Sequence, residues 1–248
     1  MKKIHLLTRK EEINEQKMAE GDKIAVVLDV LLATTTIVSA LHDGALEVIP
    51  VLDCDEALHL HKKNGAADWI LAGELSAKPV EGFVYPSPSI LRKSVAGKVL
   101  VLSTTNGTVA LRKSTGAKEV YIASLLNNPF VAKEVAKDWE DETIMVVCSG
   151  NSGEMSLEDF YGAGHFIDCL IKEQDGEIEL TDAARAAHSL YEGKKDEAYS
   201  ILKSSHVGRM FNKHDFNQEL GFAAKKGIIG LAPKLKQGKI TLGASVKS

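Results

Sequence analysis

Residues 99–107 read VLVLSTTNG, an apolar run that stops in Ser103, Thr104, Thr105, Asn106 and Gly107. An amphipathic stretch, 108–113, follows at once, so the pattern is strand, polar turn, helix start. Such a turn offers hydroxyls, an amide and the open N–H groups of a helix N-terminus, all of which favour an anionic oxygen. The chemistry implied is anion binding, phosphate first. The competing reading is that these polar residues only cap the helix.

The carboxylates sharpen this. Asp29 ends the apolar run 24–30, directly before Thr34, Thr35 and Thr36. A charge there is costly unless it is paired or coordinates a metal. Glu74 stands at another strand exit, and Glu158 and Asp159 follow a third strand and small-polar loop. Together these four could supply the oxygen ligands that Mg²⁺ takes beside a substrate phosphate. Against this stand plainer roles: a hydrogen bond from Asp29 to its own turn, and helix capping or solvent exposure for Glu158 and Asp159. Several phosphate chemistries are excluded by spacing. Leu31 stands where a haloacid-dehalogenase site needs a second Asp. Glu154 stands where a cysteine phosphatase using Cys148 needs an Arg, and its charge would raise the thiol pKa. Neither a P-loop nor a G-x-G-x-x-G fingerprint is present, and His59 and His61, at i and i+2, do not share a helix face.

The elements that must hold these residues show an internal repeat. Residues 27–48 and 99–120, 72 positions apart, keep Leu28/Leu100, Thr36/Thr108, Gly44/Gly116, Ala45/Ala117 and Glu47/Glu119 in step. Strand ends of one type are expected to converge on one site, since ligands of open sheets bind outside the carboxyl ends of strands. Strands are expected near 4–7, 24–30, 46–51, 69–72, 99–103, 120–123 and 144–147, alternating with helices near 11–18, 34–41, 56–63, 108–113, 129–137 and 156–170. Residues 75–89 form the one long irregular loop of the first half, and such loops are often functional. Beyond Gly176 the texture is of short helices, followed by a hairpin piece near 239–242. The expected fold is one α/β domain, a three-layer α/β/α sandwich with a helical cover over about 177–227.

Bulk properties narrow the partners. A net charge of −4 gives no basic footprint for nucleic acid or an anionic membrane, which leaves small molecules. Three widely spaced cysteines suit buried free thiols, and no run approaches a membrane span or a signal core, so a cytoplasmic location is expected.

The segments VLDVLLATTT, LAGEL, LSTTNGTVAL, CSGNSGEMSLED and SSHVGR resemble the 2-phosphosulfolactate phosphatases in order and approximate spacing, from about residue 24 to 235. TTNGT and SLED are the most specific of these. The resemblance implies a Mg²⁺-dependent phosphatase of sulfolactate and coenzyme M metabolism, with an α/β/α fold and a homodimeric state. Carried over by motif, Asp29, Thr34, Thr35, Glu74, Thr104, Thr105, Asn106, Gly107, Ser149, Gly150, Glu158 and Asp159 line the site. Catalysis is expected of Asp29, Glu74 and Asp159, and metal binding of Asp29 and Glu158.

Four positions depart from the family pattern. Leu32 and Leu75 stand where it has Arg, and Val84 and Gly227 where it has Asp. Arginine forks suit a substrate bearing phosphate, carboxylate and sulfonate. Arg92, Arg112 and Arg209 are the candidates to replace them. Two functions follow: hydrolysis of the phosphate ester of a small anionic hydroxy acid, 2-phosphosulfolactate first, or a repurposed small-anion-binding protein. A phosphotransferase would need a second acceptor pocket.

Overall fold

The computed structural model describes residues 2–64, 68–75, 78–214 and 216–242. The chain begins with β1 (Lys3–Leu7), a 3₁₀ turn (Lys10–Glu12) and α1 (Glu15–Ala19). One helix was expected over 11–18. Extended backbone at Ile13 and Asn14 divides it, and the Asn14 side chain caps α1 by accepting from the Lys17 N–H. The first repeat is β2 (Lys23–Leu28), α2 (Ala33–His42) and β3 (Glu47–Val51). Then come α3 (Cys54–Asn64), β4 (Trp69–Leu75), the short β5 (Lys78–Pro79) and α4 (Pro88–Leu91). The second repeat is β6 (Val99–Ser103), α5 (Gly107–Lys113) and β7 (Glu119–Ala123). It leads to α6 (Asn128–Asp138), β8 (Thr143–Cys148) and α7 (Leu157–Lys172). After β9 (Glu179–Leu180), the helices α8 (Asp182–Gly193), α9 (Ala198–Ser204), α10 (His206–Lys213) and α11 (Asn217–Ala223) form the cover. The hairpin β10 (Pro233–Lys236) and β11 (Lys239–Leu242) ends the described chain.

The strands form one mixed sheet in the order β5-β4-β6-β3-β11-β10-β7-β2-β8-β1-β9. Among the described residues, the sheet's two parallel groups, β4-β6-β3 and β7-β2-β8-β1-β9, are joined edge to edge by the antiparallel hairpin. It is in ladder register with each group through one residue pair, Ile240 with Val48 and Lys234 with Tyr121. Gln237 and Gly238, both at positive φ (50° and 79°), make the two-residue turn that right-twisted hairpins favour.

This join bends the sheet. In a flat sheet β2 and β6, five places apart, would lie about 24 Å from each other. Yet a Cβ placed on Gly107, at the start of α5, would sit 2.6 Å from Asp29 Oδ2, just past β2. The two groups therefore curl towards each other, with α2 and α5 packed inside the curve against Val27, Val48, Leu102 and Ile122. The outer face of β1, β2 and β8 is covered by α6, α7 and α8, and that of β3 and β6 by α3. Helix, sheet and helix are thus layered as expected. Val26, Val27 and Leu28 are all buried, which is why β2 reads as an unbroken apolar run. No helix among the described residues is long and apolar enough to cross a membrane.

Candidate active site at the α2 and α5 N-termini

A threonine device shapes both repeats where strand passes into helix. Thr34 Oγ1 accepts from the Asp29 N–H (3.0 Å) and donates to the Asp29 carbonyl (2.9 Å). Thr108 Oγ1 does the same with the N–H (3.1 Å) and carbonyl (2.9 Å) of Thr104. The structural counterpart of Thr108 is therefore Thr34, and the pairing with Thr36 read from the sequence is corrected. The first turn is one residue longer, which identity at a fixed offset cannot register. Thr36 instead donates to the Pro86 carbonyl (2.8 Å), tying the loop after β4 down over the turn. Thr34 and Thr35, expected to bind substrate, are fully buried with hydroxyls engaged by the backbone, Thr35 on the Val30 carbonyl at 2.9 Å.

Asp29 lies where these turns meet. Its Oδ1 accepts from the Ala33 N–H (3.2 Å) and its Oδ2 abuts Gly107. Burial pushes its carboxyl up to about 7, with Glu74 and Glu158 adding to the shift and the Ala33 N–H and Lys10 opposing it. Gly107 is required here because any side chain would strike Ala33 Cβ at 2.4 Å. On the β6 side, Glu74 accepts from both the N–H (2.7 Å) and hydroxyl (3.2 Å) of Thr105. Asn106 occupies the N-cap of α5 without capping it, because its Oδ1 accepts from Lys10 Nζ at 2.7 Å. Lys10 was not singled out from the sequence. A lysine in a charged run carries no signal, and only the return of the β1 segment beside β8 brings it in, through the bond from its N–H to the Ser149 carbonyl (3.0 Å).

The loop after β8 closes the site. Gly150 sits at φ +68°, and a Cβ there would meet Arg9 Cβ at 2.7 Å. Asp159, in the first turn of α7, accepts from the N–H groups of Val30 (2.7 Å) and Gly150 (3.2 Å). It clasps the exits of β2 and β8 together. Asp159, expected to be catalytic, thus has both oxygens engaged and does not border the cavity described next. Burial raises its carboxyl well above the ordinary range, with Asp29 and Glu158 adding to the effect. Burial also raises Glu158, against hydrogen bonds from Ser156 and Ser205 and the nearby His206. Ser149 Oγ is buried and has no hydrogen-bond partner among the described residues. Cys148 is no nucleophile: burial pushes its thiol well up.

Two adjoining cavities open here. The first, about 250 Å³, is bordered by Asp29, Glu74, Thr104, Thr105 and Asn106, together with Tyr85 and Pro86 of the long loop. The second, about 290 Å³, contains Glu158, Ser156, Ser205 and Arg209. Asn151, Ser152, His206 and Val207 border both. Asp29 and Glu158 therefore feel each other's charge from neighbouring chambers.

Of the expected replacement arginines, only Arg209 reaches this region. Arg92 pairs with Asp43 at 3.7 Å, and Arg112 with Glu56 at 2.7 Å. Leu32 borders the first cavity, whereas Leu75 is 67 % exposed and borders neither. Residues 76 and 77 of the loop lie outside the described residues.

Among the described residues, one group of three potential ligands lies within 4.8 Å, Asp168, His188 and Glu192. It is an ion-pair network. Lys172 bonds Asp168 at 2.6 Å and Lys195 stands 3.7 Å away. Although burial pushes the Asp168 carboxyl up, these ammonium groups and His188 hold it below the ordinary range. A cation at that place would face two others. The donors near Asp29 suit a metal better: crowded carboxyls whose ionisation is suppressed by burial and by one another, beside a buried hydroxyl without a hydrogen-bond partner among the described residues.

The family model described as 2-phosphosulpholactate phosphatase matches residues 7–238. Similar curated proteins, each named probable 2-phosphosulfolactate phosphatase, come from Clostridium novyi (36 % identical), Clostridium acetobutylicum (36 %) and Caldanaerobacter subterraneus (34 %). The first two matches cover 96 % of this chain and the third 91 %, against 99 % of the C. novyi protein and 92 % of the Caldanaerobacter protein. On a match that runs through both repeats, the cover and the start of the hairpin, the chain belongs to the 2-phosphosulpholactate phosphatase family.

Proposed function

We propose that the chain is a Mg²⁺-dependent phosphoric monoester hydrolase that releases phosphate from 2-phosphosulfolactate and related phosphorylated 2-hydroxy acids. Asp29 carries this reading: a buried carboxyl raised to about 7 that borders a cavity rich in hydroxyl and amide groups. Carboxyls so crowded call for a cation, and Mg²⁺ needs only one or two of them when substrate phosphate and water complete its shell. Asp29 and Glu158 would hold it, and it would offset the charge on the phosphoryl oxygens.

The chain's own groups do the remainder. Thr104 Oγ1 accepts from the Thr108 N–H (3.2 Å), which leaves its proton to donate to a phosphate oxygen. Asn106, with its carbonyl held by Lys10, turns its NH₂ to the same purpose. Glu74 is the acceptor we assign to the proton of the attacking water. The water oxygen joins phosphorus as its proton passes to Glu74, the ester P–O bond breaks, and the oxygen of the departing hydroxy acid takes up the proton that Glu74 releases. Asp159 acts by positioning, holding the two strand exits on either side of Asp29.

The test is phosphate release from 2-phosphosulfolactate with Mg²⁺ and with EDTA. Metal-dependent release, reduced at least a thousandfold in Asp29→Asn, is expected. If the folded protein releases phosphate from none of a panel of phosphorylated hydroxy acids, the small-anion-binding reading replaces this one.

A further inference from the structure

Asn106 breaks a local rule. An asparagine at a helix N-cap ordinarily turns its side-chain oxygen onto the N–H groups of the first turn, which steadies the helix. At the start of α5 it does not. Its Oδ1 accepts instead from Lys10 Nζ at 2.7 Å. An ammonium can only donate, so the amide oxygen faces Lys10 and the NH₂ is left to the other side. Asn106 borders the first cavity, whereas Lys10 borders neither.

Lys10 is held in place for this contact. Its backbone N–H donates to the Ser149 carbonyl (3.0 Å), which anchors it beside the β8 exit, and its ammonium also pairs with Glu11 at 2.9 Å. The Lys10 side chain is only 13 % exposed, deep for a lysine, which gives up rotamer freedom and hydration to lie there. Departures of this kind from local preference concentrate at functional sites.

The cavity has a use for the charge. No lysine or arginine is among the described residues that border it, and His206 is the one group there able to become positive. A lysine in the lining itself would be drawn onto Asp29 or Glu74. Behind Asn106 the ammonium is spent on other partners, yet its field reaches the cavity, since Lys10 is the cation that opposes the upward shift of the Asp29 carboxyl. A hydrogen bond accepted by an amide oxygen also polarises the amide and strengthens its N–H donors.

Building on the phosphatase reading, which makes phosphate a ligand of this cavity, we propose that Lys10 is a positioning residue for phosphate. Acting through Asn106, it withholds that side chain from capping α5, fixes its NH₂ towards the cavity and lends it positive charge.

The experiment compares Lys10→Met, Lys10→Arg, Asn106→Ala and the double variant Lys10→Met/Asn106→Ala with the wild type. Two quantities are read with Mg²⁺ present: the affinity for inorganic phosphate by calorimetry, and kcat and KM for 2-phosphosulfolactate. The bond from Lys10 to Ser149 runs through the backbone and persists in every variant, so melting temperatures should stay close to wild type. Lys10→Met is expected to weaken phosphate binding by about tenfold, the scale of one charge-assisted hydrogen bond, and to lower kcat/KM by at least as much. Asn106→Ala should do the same or more, and the double variant should fall no further than Asn106→Ala alone, because the two residues act in series. Lys10→Arg, which keeps charge and donor, should recover most of the loss. The proposal is overturned if Lys10→Met binds phosphate as the wild type does, or if the two single effects multiply in the double variant, as they would for a lysine with a merely structural role. Failure of the phosphatase reading looks different: the wild type would bind phosphate but release none from the ester, and the calorimetric comparison would still decide the role of Lys10.

Discussion

Asp29 couples function to stability through its charge. Its folded pKa, about 7, lies above the unfolded value near 3.8, so its favourable contribution is full below about pH 4 and is lost as pH rises through 7. Without metal, Asp29→Asn keeps the acceptor for the Ala33 N–H and removes the suppressed charge. In EDTA the variant is therefore expected to melt above the wild type, by a margin larger at pH 8 than at pH 5 and worth up to about 4 kcal/mol at pH 8. Mg²⁺ should raise the wild-type melting temperature and leave the variant's unmoved. Thermal melts of both proteins at the two pH values, with and without metal, test this; a variant less stable at pH 8 would contradict it. Asp29 was legible in the sequence because a carboxylate ending an apolar strand has few plain uses. Thr34 and Thr35 were legible as residues but not as roles, since a buried hydroxyl bonding backbone and an open one bonding substrate read alike. Lys10 gave no signal, as it depends on a chain return that spacing does not record, and His206 lay within the segment SSHVGR without a role assigned to it.

At the scale of elements, the site is the contact between two helix starts. Gly107 permits it: a methyl there would lie 2.4 Å from Ala33 Cβ and 2.6 Å from Asp29 Oδ2, well inside contact distance. Gly107→Ala must push α5 away from α2 and carry Thr104 and Asn106 with it. We expect a loss of about 1–3 kcal/mol in stability, typical of overpacking. Displacements near 1 Å cost about a hundredfold in rate, so kcat should fall at least that much. Chemical denaturation and steady-state kinetics on one preparation would show both, and unchanged kcat would mean that the two starts move independently. The repeat that builds this contact was visible as matching glycines and glutamates at the β3 and β7 ends. Its register at the turns was not, because the first copy is one residue longer between Asp29 and Thr34 than the second between Thr104 and Thr108, and two longer between Thr34 and Glu47 than the second between Thr108 and Glu119.

For the whole molecule, the decisive element is the hairpin at the end of the chain. A hairpin piece was readable near 239–242, but nothing local says that it enters the middle of the sheet. That is a pairing between residues nearly two hundred positions apart, Ile240 with Val48, and sequence pattern is blind to it. Once inserted, the hairpin joins the two parallel groups, and the resulting bend brings the β2 and β6 exits together. Ile240 is fully buried in the cluster that also contains Val48, Leu100 and Ile122. Ile240→Ala should cost about 2–5 kcal/mol, the usual range for emptying such a site. Val48 is the second residue of β3, near the amino end of that strand, whereas Asp29 and Thr104 follow the carboxyl ends of theirs. The lesion is thus far from the chemistry along the strands. Well below the melting temperature KM is expected to stay within about twofold of wild type while the melting temperature falls by several degrees. A variant that melts like the wild type would show that the two strand groups hold their curl without the hairpin. One that keeps its stability but loses substrate affinity would show that the bend itself is adjustable and sets the shape of the site.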